Sequence, residues 1–315
     1  MKSPYFTVAF YNLENLFDVF DDKHTHDEDF LPHGKKQWTV KRYTKKTRKL
    51  GYVISRIGRK TAKTHPAIVG LAEVENKLVI DDLLNSKHLK DKPYDFVHYD
   101  SPDERGIDVA MIFDTTVFEV VHSEVFALDL FDEDGSRDYT RDILMVKGVL
   151  NGEMVYIIVN HWPSRRQGVE ESEPARMLAS SKVLEIMSLI TNQDKNAKVI
   201  IMGDFNDGPL NNSIKQLVNK ADVYNPMEKL KSLVRGSLSH KRQWNLFDQI
   251  LFTTNFFEYR KGHHSFSKAD IFDREFLRQF KGRYRGNPFR TFVGRRYKGG
   301  FSDHFPVFVH LKNNE

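Results

Sequence analysis

Cysteine is absent from all 315 residues, which excludes disulfides, thiolate nucleophiles and cysteine-based zinc sites. The redox compartment stays open, because a cysteine-free chain suits either. Long apolar runs are also missing. The opening stretch MKSPYFTVAFYN has Val8-Ala9-Phe10 as its longest apolar run, too short for a signal-peptide core. No segment approaches the ~20 apolar residues of a membrane-spanning helix. The expectation is a soluble, cytoplasmic protein with no membrane span and no evident protein partner. Nothing resembles a glycine-rich nucleotide cradle or a serine on a strained elbow. No internal repeat, low-complexity tract or linker divides the chain, so one domain over residues 1–315 is expected.

Acidic residues are missing from two stretches, and this segregation underlies a net charge of only +5. Between Phe30 and Ala72 there is no Asp or Glu, while eight Lys and Arg residues crowd positions 35–49. Val40, Tyr43, Leu50, Val53, Ile54 and Ile57 recur at helical spacing, so an amphipathic helix over about residues 39–60 is expected, its basic side chains forming a solvated face. The second acid-free stretch, Arg278 to Lys298, interleaves eight cations with Phe280, Tyr284, Phe289, Phe292 and Tyr297. Gly282, Gly286 and Gly294 make it a long loop. Such a loop is either solvated or a surface for a polyanion with stackable parts. Residues 18–30, DVFDDKHTHDEDF, read as a solvated acidic loop, since their spacing does not fit a calcium loop.

What recurs along the chain is an apolar strand that meets polar residues at one end. FTVAFYNLEN reaches Asn12, AIVGLAEVEN reaches Glu73, MVYIIVNHWPS reaches His161, and KVIIMGDFND reaches Asp204 and Asn206. FDQILF and SDHFPVFVHL reverse the order, with Asp248 and the Ser302-Asp303-His304 triplet ahead of their apolar runs. Polar groups at both kinds of strand end can meet only if neighbouring strands run antiparallel. Helical patterns at about 39–60 and 174–190 supply cover. The fold expected is therefore α/β: two packed, mostly antiparallel sheets flanked by helices, with one polar rim.

The chemistry of that rim is specific. Glu73, Asp303 and the amide oxygen of Asn12 are hard oxygen donors suited to Mg²⁺, with Mn²⁺ as a substitute. His161 and His304 can move protons near neutral pH. Asp204 and Asp248 can orient a histidine or a water, and Asn206 can donate to a developing oxyanion. These parts favour metal-assisted attack of water on a phosphate ester over a covalent route. Taken singly, each has a plainer reading: His161 as a core histidine, Asn12 as a strand-end cap.

The ordered motifs YNLEN, LAEVEN, VNHWPS, MGDFND, FDQIL and FSDHFPV resemble the endonuclease/exonuclease/phosphatase superfamily, of the deoxyribonuclease I type, over nearly the whole chain. The VNHWPS form is similar to a bacterial-type branch. The resemblance implies a four-layer α/β sandwich and a divalent-metal phosphoesterase. It implies that Asn12, Glu73 and Asp303 bind metal and that Asp248 orients His304. Asp204 would position or deprotonate water, Asn206 would bind a phosphate oxygen, and His161 would stabilise the pentacovalent state. Either Asp204 or His304 is the base.

Apurinic endonucleases of that superfamily place a tyrosine where this chain has ERGIDVAMIFD. Here Arg105, Arg141 and Arg165 are candidate phosphate-binding residues. For Arg105 and Arg141 the plainer reading is surface pairing with Asp108 or Asp142. The substrate classes left open are nucleic acid, lipid and small phosphoesters. A non-catalytic polyanion binder and a zinc hydrolase remain as alternatives from other classes; the zinc enzyme would need a tighter histidine cluster than His161 and His304 provide.

Overall fold

The computed structural model describes residues 3–132, 134–166 and 168–315. Twelve strands build its two main sheets: β1 (Tyr5–Leu16), β2 (Ile68–Val74), β3 (Tyr94–His98), β4 (Asp108–Asp114), β5 (Phe118–Phe126), β6 (Ile143–Leu150), β7 (Glu153–His161), β8 (Val199–Asp204), β9 (Val223–Tyr224), β10 (Asp248–Thr253), β11 (His264–Ile271) and β12 (Val307–Asn313). One sheet runs β11-β12-β1-β2-β4-β3, the other β9-β10-β8-β7-β6-β5. The ladders β1–β2 and β7–β8 are parallel; the remaining ones are antiparallel. The expected fold class holds, as two mixed sheets packed face to face.

Continuous apolar runs form the central strands because those strands are buried on both faces. In β8, Ile200 and Met202 join the core between the sheets, while Val199 and Ile201 pack under the covering helices. Those helices are Glu173–Gln193 and Asn212–Lys220, the first matching the spacing read at 174–190. No helix among the described residues is long and apolar enough to cross a membrane.

Three expectations about the charged segments change. The helix expected over 39–60 is Val40–Ile54, followed by a single turn at Arg59–Ala62. Gly58 separates the two, with a φ of 67°, and a Cβ there would come within 2.5 Å of the Thr7 hydroxyl. The basic face is not wholly solvated either. Lys46 is buried and donates to the backbone carbonyl of Glu14, because it lies three residues after Tyr43 and four before Leu50, on the apolar side of the helix. In the acidic loop Asp27 is buried and accepts from the Asp22 amide at 3.1 Å. That loop docks on residues 103–106 through His26 N to the Glu104 carbonyl, 2.8 Å.

At the end of the sandwich away from the polar rim, Glu153 ties the sheets together. Its carboxylate accepts from the Lys198 ammonium at 2.8 Å, from the His264 amide and Nδ1 at 2.7 Å each, and lies 2.8 Å from His263 Nδ1. Burial by itself would raise this carboxyl, but the donors outweigh it and hold the pKa down to about 2. A depressed folded-state pKa stabilises the fold above the unfolded value. That contribution, roughly 3 kcal/mol for a shift of this size, is lost as pH falls from about 4.5 towards 2. Urea midpoints should therefore drop over this window in the wild type. Glu153→Gln should be clearly destabilised at pH 6 and much closer to wild type at pH 2.5. An equal deficit at both pH values would mean that the ionised carboxylate is not what holds the sheets here.

Candidate active site

The strand ends converge because register places them side by side. Asp204 at the end of β8 pairs with His161 at the end of β7 and with Asp248 at the start of β10. Gly203 in the MGDFND motif is required by this approach: a Cβ there would lie 2.3 Å from the Asn160 carbonyl oxygen. Across the sandwich, β1 and β2 deliver Asn12 and Glu73. Ser302 fixes the last motif to β1, its hydroxyl donating to the Asn12 carbonyl at 2.7 Å and accepting the His304 amide at 3.0 Å.

Two groupings result. In the first, Asn12 Nδ2 donates to Asp204 Oδ2 at 3.1 Å and lies 3.3 Å from Glu73 Oε1. His161 Nε2 stands 3.9 Å from both of those carboxylate oxygens. Glu73 Oε2 accepts the Asn15 amide at 2.8 Å. In the second, His304 Nδ1 bonds Asp248 Oδ2 at 2.7 Å and lies 3.9 Å from Asp204 Oδ2. Asp204, Asp248 and His304 are all buried, and ligand-capable atoms of the three fall within 4.8 Å of one another. Asp303 sits on the outer side, 4.0 Å from His304 Nε2, and accepts from Arg290 at 2.7 Å. Glu73 and Asn206 hold left-handed backbone, with φ of 61° and 51°. Such strain in non-glycine residues persists only where the surroundings over-determine it.

The electrostatics split the histidines. Burial and the nearby Arg141 and Arg105 push His161 well below the usual imidazole range, which favours its neutral form. Burial pulls His304 down as well, but Asp248 and Asp204 more than reverse it, and its pKa is raised well above normal. Burial raises the Asp204 carboxyl to about 6. The Glu73 and Asp204 carboxylates face each other with the Asn12 amide and His161 Nε2 between them, and among the described residues the buried oxygen Asp248 Oδ1 has no hydrogen-bond partner. Hard oxygen donors with excess negative charge fit a divalent cation. Glu73 would hold it, with Asn12 beside it and Asp204 facing it; as placed, Asn12 Oδ1 is engaged by the Glu14 amide at 2.9 Å.

The arginines read as phosphate-binding are largely committed within the chain. Arg141 is buried, paired with Asp103 at 2.9 Å and donating to the Trp162 carbonyl at 2.8 Å. Arg105 approaches Asp103 at 3.8 Å and stays partly exposed. Asp103, rather than Asp108 or Asp142, is thus their partner; Asp108 is taken by His98 at 3.0 Å and by Ser101. Arg165 donates from Nε to the Asn206 carbonyl at 2.6 Å and from its terminal nitrogen to Asp207. The Asn206 side chain donates to the Trp162 carbonyl at 2.9 Å.

Sequence reasoning missed several supports. Glu14 accepts the amides of Thr291 and Phe292 at 2.6 and 3.2 Å, so it anchors the basic loop against β1. Arg290 of that loop lies between Glu14, at 3.6 Å, and Asp303. The apolar part of the loop turns inward: Phe292 is buried against Trp38 and Phe30. Asp207 is buried and paired with Arg176 at 2.9 Å, with Ser213 donating to it at 2.5 Å. Asp207→Ala strands a buried guanidinium and is expected to cost ~3–5 kcal/mol in urea unfolding. Asp204→Asn, which removes a charge that burial disfavours, should cost far less. A mild Asp207→Ala effect would show that its arginines find other partners.

No curated protein matches the chain significantly. Several solved structures share the fold. An endonuclease/exonuclease/phosphatase family protein from Bacteroides thetaiotaomicron superposes with a TM-score of 0.62 at 17% identity, covering 99% of this chain and 98% of that one. A mannosyl-6-phosphatase from the same organism gives 0.60 at 17%, over 97% and 99%. A D. rerio TDP2 humanized by 14 mutations gives 0.59 at 14%, over 99% and 100%. At such identities these likenesses establish the fold alone. The family itself rests on a sequence model described as "Endonuclease/Exonuclease/phosphatase family", which matches residues 7–313. With that match spanning nearly every strand of both sheets and every motif at the rim, the chain belongs to the endonuclease/exonuclease/phosphatase family.

Proposed function

We propose that the protein is a divalent-metal-dependent phosphoesterase, with Mg²⁺ as the metal and water as the nucleophile. The observation that carries this reading is the meeting of Asp204, backed by Asn12 and Glu73, with the Asp248–His304 pair at one buried rim. A bound Mg²⁺ supplies positive charge at a phosphoryl oxygen. Asp204, with a carboxyl near pH 6, accepts the proton of the attacking water as its oxygen bonds to phosphorus. His304, held as an imidazolium by Asp248, stabilises negative charge on the pentacovalent phosphorus. His161, neutral, donates a hydrogen bond to a phosphoryl oxygen, and the P–O ester bond breaks to release an alkoxide that takes a proton from solvent water and leaves as the alcohol. Asp204 is favoured as base because a histidine that is already protonated cannot accept the proton.

Esters compatible with this site include nucleic acid, phospholipid and small phosphomonoesters, the last being the class that the name of one structural neighbour indicates. The unpaired cations of the 278–298 loop favour a polyanion. A screen of DNA, RNA, phospholipid, a chromogenic diester and sugar phosphates, with Mg²⁺ and with EDTA, tests the reading. Metal-dependent hydrolysis of any of them is expected. Near-normal hydrolysis by the His304→Ala variant would remove the assignment.

A further inference from the structure

Beyond the rim, a second basic surface runs down the outer side of the molecule. Two open cavities of about 530 and 450 Å³ share Arg274 as a wall. The first is bounded by Arg278, Arg285 and Phe280 of the loop that ends at the catalytic motif. The second is bounded by Arg56, Arg59, Lys60 and Phe276. Among the described residues Arg56, Arg59, Lys60, Arg274 and Arg285 enter no ion pair, whereas Arg278 is paired with Asp273 at 2.8 Å. Five cations therefore face solvent, while the carboxylates lining the two cavities are those of the exposed Glu275 and of Asp273, the latter already paired with Arg235 and Arg278. Two aromatic rings stand among them, Phe280 at 67% exposure and Phe276 at 36%.

The position of this surface gives it a direction. The loop end is bolted to the rim, because Arg290 grips Asp303 at 2.7 Å. The far end lies at Gly58, which packs on Thr7. Thr7 is five residues before Asn12 on β1, about 16 Å at ~3.3 Å per residue. Spaced cations with exposed aromatic faces are what a single-stranded chain uses, its phosphates neutralised and its bases stacked. A sugar phosphate or a lipid headgroup would leave most of the track untouched.

We propose that the track formed by Arg285, Arg274, Arg59, Lys60 and Arg56, with Phe276 and Phe280, binds single-stranded nucleic acid and leads it to or from the catalytic rim. The proposal rests on the phosphoesterase reading for the direction of travel, but the binding itself does not need catalysis. It can therefore be measured in EDTA with a fluorescein-labelled single-stranded 20-mer.

The wild type should bind the oligomer, with affinity falling linearly in log salt. Each cation lost should reduce the slope by ~0.7, so R59A/K60A/R274A should flatten it by about 2 and weaken binding at least ~10-fold at 0.1 M salt. Phe276→Ala should weaken binding while leaving the slope unchanged, since stacking releases no counterions. Turnover of a small chromogenic diester should be unaffected in both variants. Failure of the wild type to bind, or equal affinity and slope in the triple variant, would overturn the track. Stronger binding of a duplex or of polyphosphate than of the single strand would overturn the class of ligand. Oligomer binding at the track without hydrolysis of any phosphate ester would instead leave the track standing and sink the phosphoesterase reading.

Discussion

His304→Ala is expected to lower turnover of a phosphate ester by at least ~10²-fold, the scale of losing one electrostatic or acid–base group. The ring is buried, its Nδ1 is held by Asp248 at 2.7 Å, and Asp204 lies 3.9 Å away. Two carboxylates thus keep a positive charge at a place from which water is largely excluded, where it acts with little screening. Asp204→Ala should cost a similar factor through loss of the base. Asp248→Asn keeps the shape of the pair but removes the charge that raises His304. The imidazole pKa, followed by NMR, should then fall towards the ordinary range, and turnover at neutral pH should fall with it. If His304→Ala retained near-normal kcat, or if Asp248→Asn left the ring pKa unmoved, the charge arrangement described here would not be the catalytic one.

Chelation is expected to reduce activity to background, with Mg²⁺ or Mn²⁺ restoring it. The physical ground is the pair of facing carboxylates, Glu73 and Asp204, which share the Asn12 amide as a hydrogen-bond donor. Like charges this close are relieved by a cation, and oxygen ligands select a hard one. The effect should also be visible without substrate. Mg²⁺ at a hundred times its dissociation constant should add ~2.7 kcal/mol to stability, and Glu73→Gln should abolish most of that gain. Full turnover after exhaustive chelation would remove the metal from the reaction. A stabilisation that survives Glu73→Gln would place the ion elsewhere.

Both expectations use residues legible at strand ends in the sequence, and the reason lies in how locally such ends are written. Apolar runs of strand length, each meeting Asn, Glu, His or Asp, announce a rim because the alternation between core and polar end occurs within a few residues. The same locality made Glu73 and His304 readable as chemistry. Lys46 and Glu14 were not readable. A lysine at a position helical spacing assigns to the apolar face looks like any other member of a basic run until the Glu14 carbonyl appears beneath it. Arg141 and Arg165 looked like phosphate ligands because a guanidinium suits phosphate and carboxylate equally. The structure places Asp103 against Arg141 and Asp207 against Arg165.

By itself the sequence determined the six strands that meet the rim, the helix at 174–190, and the inventory of oxygen and imidazole donors. These follow from periodicity and composition over short windows, where the hydrophobic effect acts on neighbours in the chain. Tertiary structure alone decided which donors meet and in what charge state. Asn12 reaches Asp204 across 192 positions, and Glu14 takes the amide of Thr291 across 277. Such contacts depend on strand register and on how one sheet sits over the other, quantities that no local pattern encodes. The opposite pKa shifts of His304 and His161 are of the same kind, since burial and nearby charge, set by the assembled sandwich, act against the intrinsic preference that both rings share.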